Sequence, residues 1–199
     1  MTLKDRVDNY NKWLGSECLF FDGSGRIGGT WYIGNNYAKK NDYYGGYQGN
    51  YLKRVSALFP DKKSVLHLYA GMADVVDLPG DKMDINPQTD DTIYCDAREL
   101  SKYCDKKYDL IVADPPYGTD RLREYGDRYG CSAETINVKK VYNEMFKVAT
   151  EDCHVVWLDW ARPFYKNAEW LEKGAILYRG STGHKDRSVT IFEKSKNSA

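Results

Sequence analysis

The sequence predicts an α/β fold: a mostly parallel sheet with helices on both faces. Two observations predict it. From residue 61 onward, short apolar runs alternate with connectors or helical patterns, the order that builds parallel sheets. The clearest runs, such as Leu110-Ile111-Val112-Ala113, are apolar at successive positions rather than alternate ones, as in strands covered on both sides. The length of 199 residues, 42% of them hydrophobic, suits one domain with a sizeable core.

The elements follow in order. Leu3, Val7, Tyr10 and Leu14 recur at helical spacing, and Gly15 follows as a stop. The stretch Gly15–Tyr51 is rich in glycine and tyrosine. It opens with Cys18-Leu19-Phe20-Phe21, the turn pair Asp22-Gly23, and a second apolar run at Trp31-Tyr32-Ile33. This predicts a hairpin followed by a loop. Tyr51, Leu52, Val55, Leu58 and Phe59 mark a helix ending before Pro60. Strands are expected at 64–69, 82–85, 92–95 and 108–113, with a short helix over 97–103. Ser132 can cap a helix running to about residue 150, with Val138, Val141, Tyr142, Met145, Val148 and Ala149 on its apolar face. A strand at 154–158 follows, then a helix with Pro163 in its first turn. Strands at 175–178 and 188–192 flank a polar turn. The expected organisation is an extension over 1–60, a core over 61–193 and a polar tail over 194–199.

Composition narrows the function classes. Lys and Arg number 29, and so do Asp and Glu; this neutrality excludes a protein that coats nucleic acid by charge alone. The split is uneven: residues 1–60 carry +3, residues 61–118 carry −5 and residues 119–199 carry +2. No uninterrupted apolar run exceeds four residues, so no membrane span is expected. The N-terminus lacks a signal-peptide core, which predicts a cytoplasmic protein. The five cysteines, an odd number without C-x-x-C spacing, predict neither a disulfide framework nor a metal site. His67 and His154 sit inside apolar runs and are expected to be buried structural residues rather than ligands.

Two segments have the form of chemical motifs. Gly23-Ser24-Gly25-Arg26-Ile27-Gly28 matches the dinucleotide pattern G-x-G-x-x-G. That pattern works only where a helix begins and faces the pyrophosphate. Gly29-Thr30-Trp31-Tyr32 is a poor helix start, so a turn is expected instead. Asp114-Pro115-Pro116-Tyr117 directly follows the Leu110–Ala113 run, and ligands of open parallel sheets bind beyond the carboxyl ends of the strands. Two prolines fix the backbone and remove two donors. The loop thus presents a carboxylate, free carbonyls and a ring. A carboxylate and a carbonyl together can accept both hydrogens of an amine, and a ring can stack on the base that carries it.

Asp114-Pro115-Pro116-Tyr117 resembles motif IV of the amino-methyltransferases, the D/N/S-P-P-Y/F signature of enzymes that methylate exocyclic amines. Val65-Leu66-His67-Leu68-Tyr69-Ala70-Gly71 resembles motif I of this family, where a turn of small residues meets S-adenosylmethionine. Met83-Asp84-Ile85-Asn86-Pro87 resembles the end of the second strand, and Tyr94-Cys95-Asp96-Ala97-Arg98 resembles motif III. The resemblance implies a Rossmann-like methyltransferase fold with S-adenosylmethionine as cofactor. By it Tyr69, Ala70 and Gly71 form the cofactor turn, Asp84 accepts from the ribose, and Asp96 with Ala97 meets the adenine. Tyr43-Tyr44-Gly45-Gly46-Tyr47 resembles motif X, which would place Tyr44 and Gly46 at the methionine end; a plain glycine loop is the alternative. One departure stands out. Only Met72 to Lys82 lie between motif I and the second strand, too few for the usual crossover helix.

The resemblance implies methyl transfer to an amine, with Asp114 and the Pro115 carbonyl holding the amine and Tyr117 stacking on the base. The D-P-P-Y form points to the N6 of adenine in DNA. Alternatives are an RNA methyltransferase, including ribosomal-RNA guanine N2 or adenine N6 enzymes, and a non-catalytic protein that keeps the fold. Protein glutamine methylation and nicotinamide oxidoreduction rank below these. A nucleic-acid partner would meet Arg121, Arg123, Tyr125 and Arg128, basic residues interleaved with tyrosine, or His184 and Lys185 in the late turn. For both segments an ordinary solvated loop is the competing reading. No metal is expected.

Overall fold

The computed structural model describes residues 1–34, 47–86, 89–116, 136–163, 168–180 and 185–196. Helix α1 spans Leu3–Leu14. Thr2 caps it: its hydroxyl accepts from the Asp5 N–H, and the Asp5 carboxylate accepts from the Thr2 N–H, a reciprocal capping box. Gly15 closes it at φ 74°, a left-handed position that suits glycine. Strands β1 (Leu19–Phe21) and β2 (Ile27–Tyr32) form the expected hairpin. Helix α2 covers Tyr51–Leu58. Then come β3 (Val65–Leu68), β4 (Asp81–Asp84), β5 (Thr92–Tyr94), a 3-10 helix over Ala97–Lys102, and β6 (Tyr108–Ala113). Helix α3 (Val138–Val148) is followed by β7 (Ala149–Asp159), β8 (Trp170–Arg179) and β9 (Arg187–Lys194).

Among the described residues, nine strands form one sheet in the order β1-β2-β8-β9-β7-β6-β3-β4-β5. Neighbours pair in parallel except that β1 runs against β2, and β9 runs against both β7 and β8. This is the Rossmann-like α/β arrangement read from the sequence. The hairpin lengthens it at one edge, because β2 pairs in parallel with β8 from Ile27↔Gly174 to Tyr32↔Arg179.

Successive strand residues divide between two cores. Val65, Leu110, Val112, Val156, Leu158, Ile176, Tyr178, Val189 and Ile191 pack with α1 and α2. Leu66, Leu68, Ile111, Ala113, Val155 and Trp157 pack with α3 and the 3-10 helix. That double burial explains the continuous apolar runs. Trp31 is fully buried between Tyr10 of α1 and Tyr51 of α2, with ring centres 5.9 and 6.0 Å away. Arg6 is buried on α1 and pairs through both guanidinium nitrogens with Asp61.

Two local expectations are corrected. Asn137, not Ser132, caps α3 by accepting from the Lys140 N–H. The helix stops at Val148 because β7 begins at Ala149 with no loop between them. The helix expected from Pro163 falls on residues 164–167, outside the described residues; β8 begins at Trp170.

The β3–β4 connector, residues 69–80, contains no helix, as its length predicted. Buried side chains hold it instead. His67 Nε2 lies 2.8 Å from the Leu78 carbonyl. Lys82 Nζ donates to the Ala73 carbonyl at 3.3 Å and to Thr89 at 2.9 Å, and pairs with Asp91 at 2.7 Å. Gly80 lies so close to β3 that a Cβ there would meet the Val65 carbonyl at 2.5 Å. Val75 and Leu78 then pack on the α1–α2 side, where a crossover helix would lie.

Candidate active site

Register brings the motif residues together. Leu68 pairs with Ala113 on one side and Met83 on the other, so the next row across the sheet holds Tyr69, Asp84 and Asp114. Tyr69 has φ 62° and Gly71 has φ 49°. Two left-handed residues flanking Ala70 turn the chain sharply at the end of β3. For tyrosine that conformation costs roughly 1–2 kcal/mol, and such strain persists where the surroundings enforce it. Here the Tyr69 ring packs edge-on against Trp157, 6.4 Å between centres.

Asp84 clamps this turn. One of its oxygens accepts from the Gly71 N–H and the other from the Asn86 N–H, both at 2.8 Å. Burial pushes its carboxyl pKa up, and the backbone donors of Asn86, Gly71 and Ile85 pull it back down. The Asn86 side-chain nitrogen is buried and, among the described residues, has no hydrogen-bond partner. An orphaned donor next to a partly engaged carboxylate fits a sugar hydroxyl. Asp96 is more occupied. It caps the 3-10 helix by accepting from the Arg98 N–H, and it also accepts from Arg98 Nε and Nη2 at 2.7–3.1 Å. These bonds hold its carboxyl below the usual range. An adenine amine at Asp96 must therefore compete with Arg98. Ala97 lies buried behind it.

Asp114 is half-buried and continues the pairing, its N–H reaching toward the Leu68 carbonyl at 3.5 Å. Pro115 is buried and Pro116 half-buried. Behind Asp114 stands a wall of tyrosines that sequence reasoning missed. Tyr47 stacks on Tyr51 at 5.4 Å, and Tyr51 meets Tyr178 edge-on at 6.0 Å. The Tyr47 hydroxyl lies 3.3 Å from the Val112 carbonyl and 3.2 Å from His67 Nδ1, and the Tyr178 hydroxyl donates to Gln48. Burial pushes the Tyr51 and Tyr178 hydroxyls up; the Asp114 carboxylate adds to this and Arg187 opposes it. The Tyr51 hydroxyl is buried and, among the described residues, has no partner. The only sequence signal for this wall was the density of tyrosine before α2.

Further along the rim, at the end of β7, the Asp159 carboxylate accepts from the Trp160 N–H at 2.6 Å. Lys185 Nζ sits 5.0 Å above the Trp160 ring. Of the other expected site residues, Tyr44, Gly46, Tyr117, Arg121, Arg123, Tyr125, Arg128 and His184 lie outside the described residues. The Gly23–Gly28 segment forms the hairpin turn, where Asp22 accepts from the Ser24 and Arg26 N–H groups, and the first two residues of β2 rather than the start of a helix. His67 and His154 are buried and neutral, their pKa values pushed down to about 4 chiefly by burial. Among the described residues no cluster could hold a metal ion, and no helix is long and apolar enough to cross a membrane.

No protein-family model matches the sequence, and no curated protein matches it. Solved structures do resemble the chain in part. TrmN from Thermus thermophilus aligns with 14% identity over 66% of this chain and 43% of its own, less than half its length, with a TM-score of 0.44. The N-methyltransferase NodS from Bradyrhizobium japonicum WM9 aligns with 14% identity over 74% of this chain and 94% of its own, at 0.46. An rRNA methylase from Streptococcus thermophilus aligns with 10% identity over 67% and 88%, at 0.39.

Proposed function

We propose that this chain is an S-adenosylmethionine-dependent methyltransferase acting on the exocyclic N6 amine of adenine in DNA. The observation that carries the proposal is the shared row of Tyr69, Asp84 and Asp114 at the carboxyl ends of adjacent parallel strands. Residues 61–193 form the catalytic core in this reading, and the 1–60 extension supplies part of the wall behind Asp114. When bound, S-adenosylmethionine supplies an electrophilic sulfonium methyl group. The Tyr69–Gly71 turn would seat it, with Asp84 and Asn86 at its ribose and Asp96 toward its adenine.

An exocyclic amine is a weak nucleophile because its lone pair is conjugated into the ring. Asp114 and the Pro115 carbonyl would accept its two hydrogens, draw the nitrogen toward tetrahedral geometry and stabilise the positive charge growing there. The charge is met by groups already fixed by two prolines and a buried strand, so little reorganisation is needed. Tyr117 follows in sequence as the stacking ring. Arg121, Arg123, Tyr125, Arg128, His184 and Lys185 are the candidate contacts to the polynucleotide. A base in a duplex must first flip out, at a cost of a few kcal/mol that a single strand avoids.

The test is transfer of radiolabelled methyl to DNA, ribosomal RNA and protein pools, followed by nucleoside analysis. N6-methyladenine in DNA is the expected product. Label in RNA, on adenine N6 or guanine N2, would replace the substrate while keeping the chemistry. Cofactor binding with no transfer to any pool would favour a non-catalytic protein with this fold.

A further inference from the structure

Among the described residues, no helix covers one face of the β2–β8 edge of the sheet. On these strands Ile27, Trp31, Ile176 and Tyr178 point into the α1–α2 core. The alternate residues, Gly28, Thr30 and Tyr32 on β2 with Ala175, Leu177 and Arg179 on β8, lie on the opposite face. Among the described residues, the core beneath α3 contains none of β1 or β2, and from β8 only Trp170 at its start. Tyr32 is 63% exposed, Phe20 58% and Leu177 39%. Phe20 lies across Gly28, where a Cβ would come within 2.4 Å of its ring. Arg179 pairs in register with Tyr32, its guanidinium 6.0 Å from the ring centre.

This face leads to the candidate site. The register Ala113↔Trp157, Trp157↔Thr190, Thr190↔Ala175 and Ala175↔Gly28 places Tyr32 and Arg179 three residues beyond the row of Asp114, or about 10 Å higher along the strands. Trp160 with Lys185 stands on the same rim between them and Asp114. The centre of the face is small and flat, and exposed rings stand at its ends. Tyr32 and Trp160 each carry a cation over the ring. Arg26 and Arg162 share Glu172, Arg179 pairs with Asp186, and Asp159 lies beside Trp160, so the cations held over the two rings are the charges placed for a ligand. A protein partner would want a dry apolar centre here; rings spaced over a flat sheet, each with a cation beside it, suit unstacked bases and a phosphate backbone.

We infer that the open β2–β8 face, with Phe20, Tyr32 and Arg179, is a stacking platform for single-stranded nucleic acid flanking the target base. The inference rests on the nucleic-acid reading of the active site. The test uses the full chain with S-adenosylhomocysteine and fluorescent 20-nucleotide single strands of DNA and of RNA, with the matching duplexes, read by anisotropy. Phe20→Ala and Tyr32→Ala should each weaken single-strand binding about tenfold, and Tyr32→Phe less than twofold. S-adenosylhomocysteine affinity and the thermal midpoint should not change. Loss in either the DNA or the RNA arm supports the platform and names the sugar. Unchanged affinity in both alanine variants overturns it, as does preferential binding of duplex, or a dimer in sedimentation that Phe20→Ala dissolves. If the wild type methylates nucleic acid and the variants bind normally, the platform alone falls. If the wild type binds S-adenosylhomocysteine but neither binds nor methylates nucleic acid, the substrate reading falls first.

Discussion

The rim of the sheet has two halves built on different principles. At β3, β4 and β5 the strands are short, three or four residues each, and carboxylates at their ends are engaged by nearby donors. Asp84 holds Gly71 and Asn86; Asp96 holds Arg98. At β2, β8 and β9 the strands run six to ten residues and rise past the row of Asp114. Tyr32 at the end of β2 and Trp160 beside them, after β7, are exposed rings paired with cations. The low half is acidic and preorganised, which suits a small ligand held by hydrogen bonds. The tall half is basic and aromatic, which suits an extended ligand held by stacking and charge. Asp114 lies at the junction. The neutral net charge of the chain conceals this division.

Asp114→Ala tests the junction and should have the largest effect. Removing one preorganised partner of a developing charge typically lowers turnover by about a hundred- to a thousandfold. Cofactor affinity, which the proposed function assigns to the low half, should stay within about twofold by calorimetry. Unchanged turnover would remove Asp114 from the mechanism.

The row of Asp114 was legible because a buried apolar strand followed by Asp-Pro-Pro is a local pattern. The hairpin turn and α1 were legible for the same reason: their caps and turn residues lie within five positions of what they bond. The β2–β8 pairing was not, since it joins residues almost 150 positions apart, and nothing local in Ile27–Tyr32 specifies a parallel partner. His67 and Lys82 were also opaque in detail. Each looked like a polar interruption in a strand, and only the path of the helix-free connector gives them acceptors at Leu78 and Ala73.

The connector makes the low half sensitive to acid. The His67 pKa falls from 6.5 to about 4 in the fold. The unfolded chain therefore binds the proton first as pH drops. Stability from this group is complete above about pH 6.5 and is lost as pH falls toward 4. The full loss is on the order of 3 kcal/mol. Urea unfolding of the wild type against His67→Gln, which keeps a donor for Leu78 but does not titrate, should show a difference between pH 7 and pH 4.5 of that order. Parallel profiles would mean that His67 is not buried neutral.

Asp84→Ala removes the acceptor shared by the turn and the end of β4. Hydrogen bonds to a charged group are worth about 1.5–3 kcal/mol, so S-adenosylmethionine affinity should fall by at least tenfold. Single-strand binding on the tall half should change little. An equal loss at both places would show that the halves are mechanically one unit, and the comparison between them would need redrawing.

Lys185→Ala should have the smallest effect and the most selective one. A cation over an exposed ring contributes about 0.5–1 kcal/mol, and Trp160 is 43% exposed. Loss of one phosphate contact lowers the salt slope of single-strand binding by roughly 0.7. Affinity should therefore drop a few-fold at low salt and converge with the wild type as salt rises, with turnover on a free adenine nucleoside unaltered. Trp160→Ala, by contrast, should lower affinity at every salt concentration, because stacking is not screened. If both variants lose affinity with the same salt dependence, Lys185 acts by holding the Trp160 ring rather than by meeting phosphate, and the basic character of the tall half must then lie in Arg179 and Arg187.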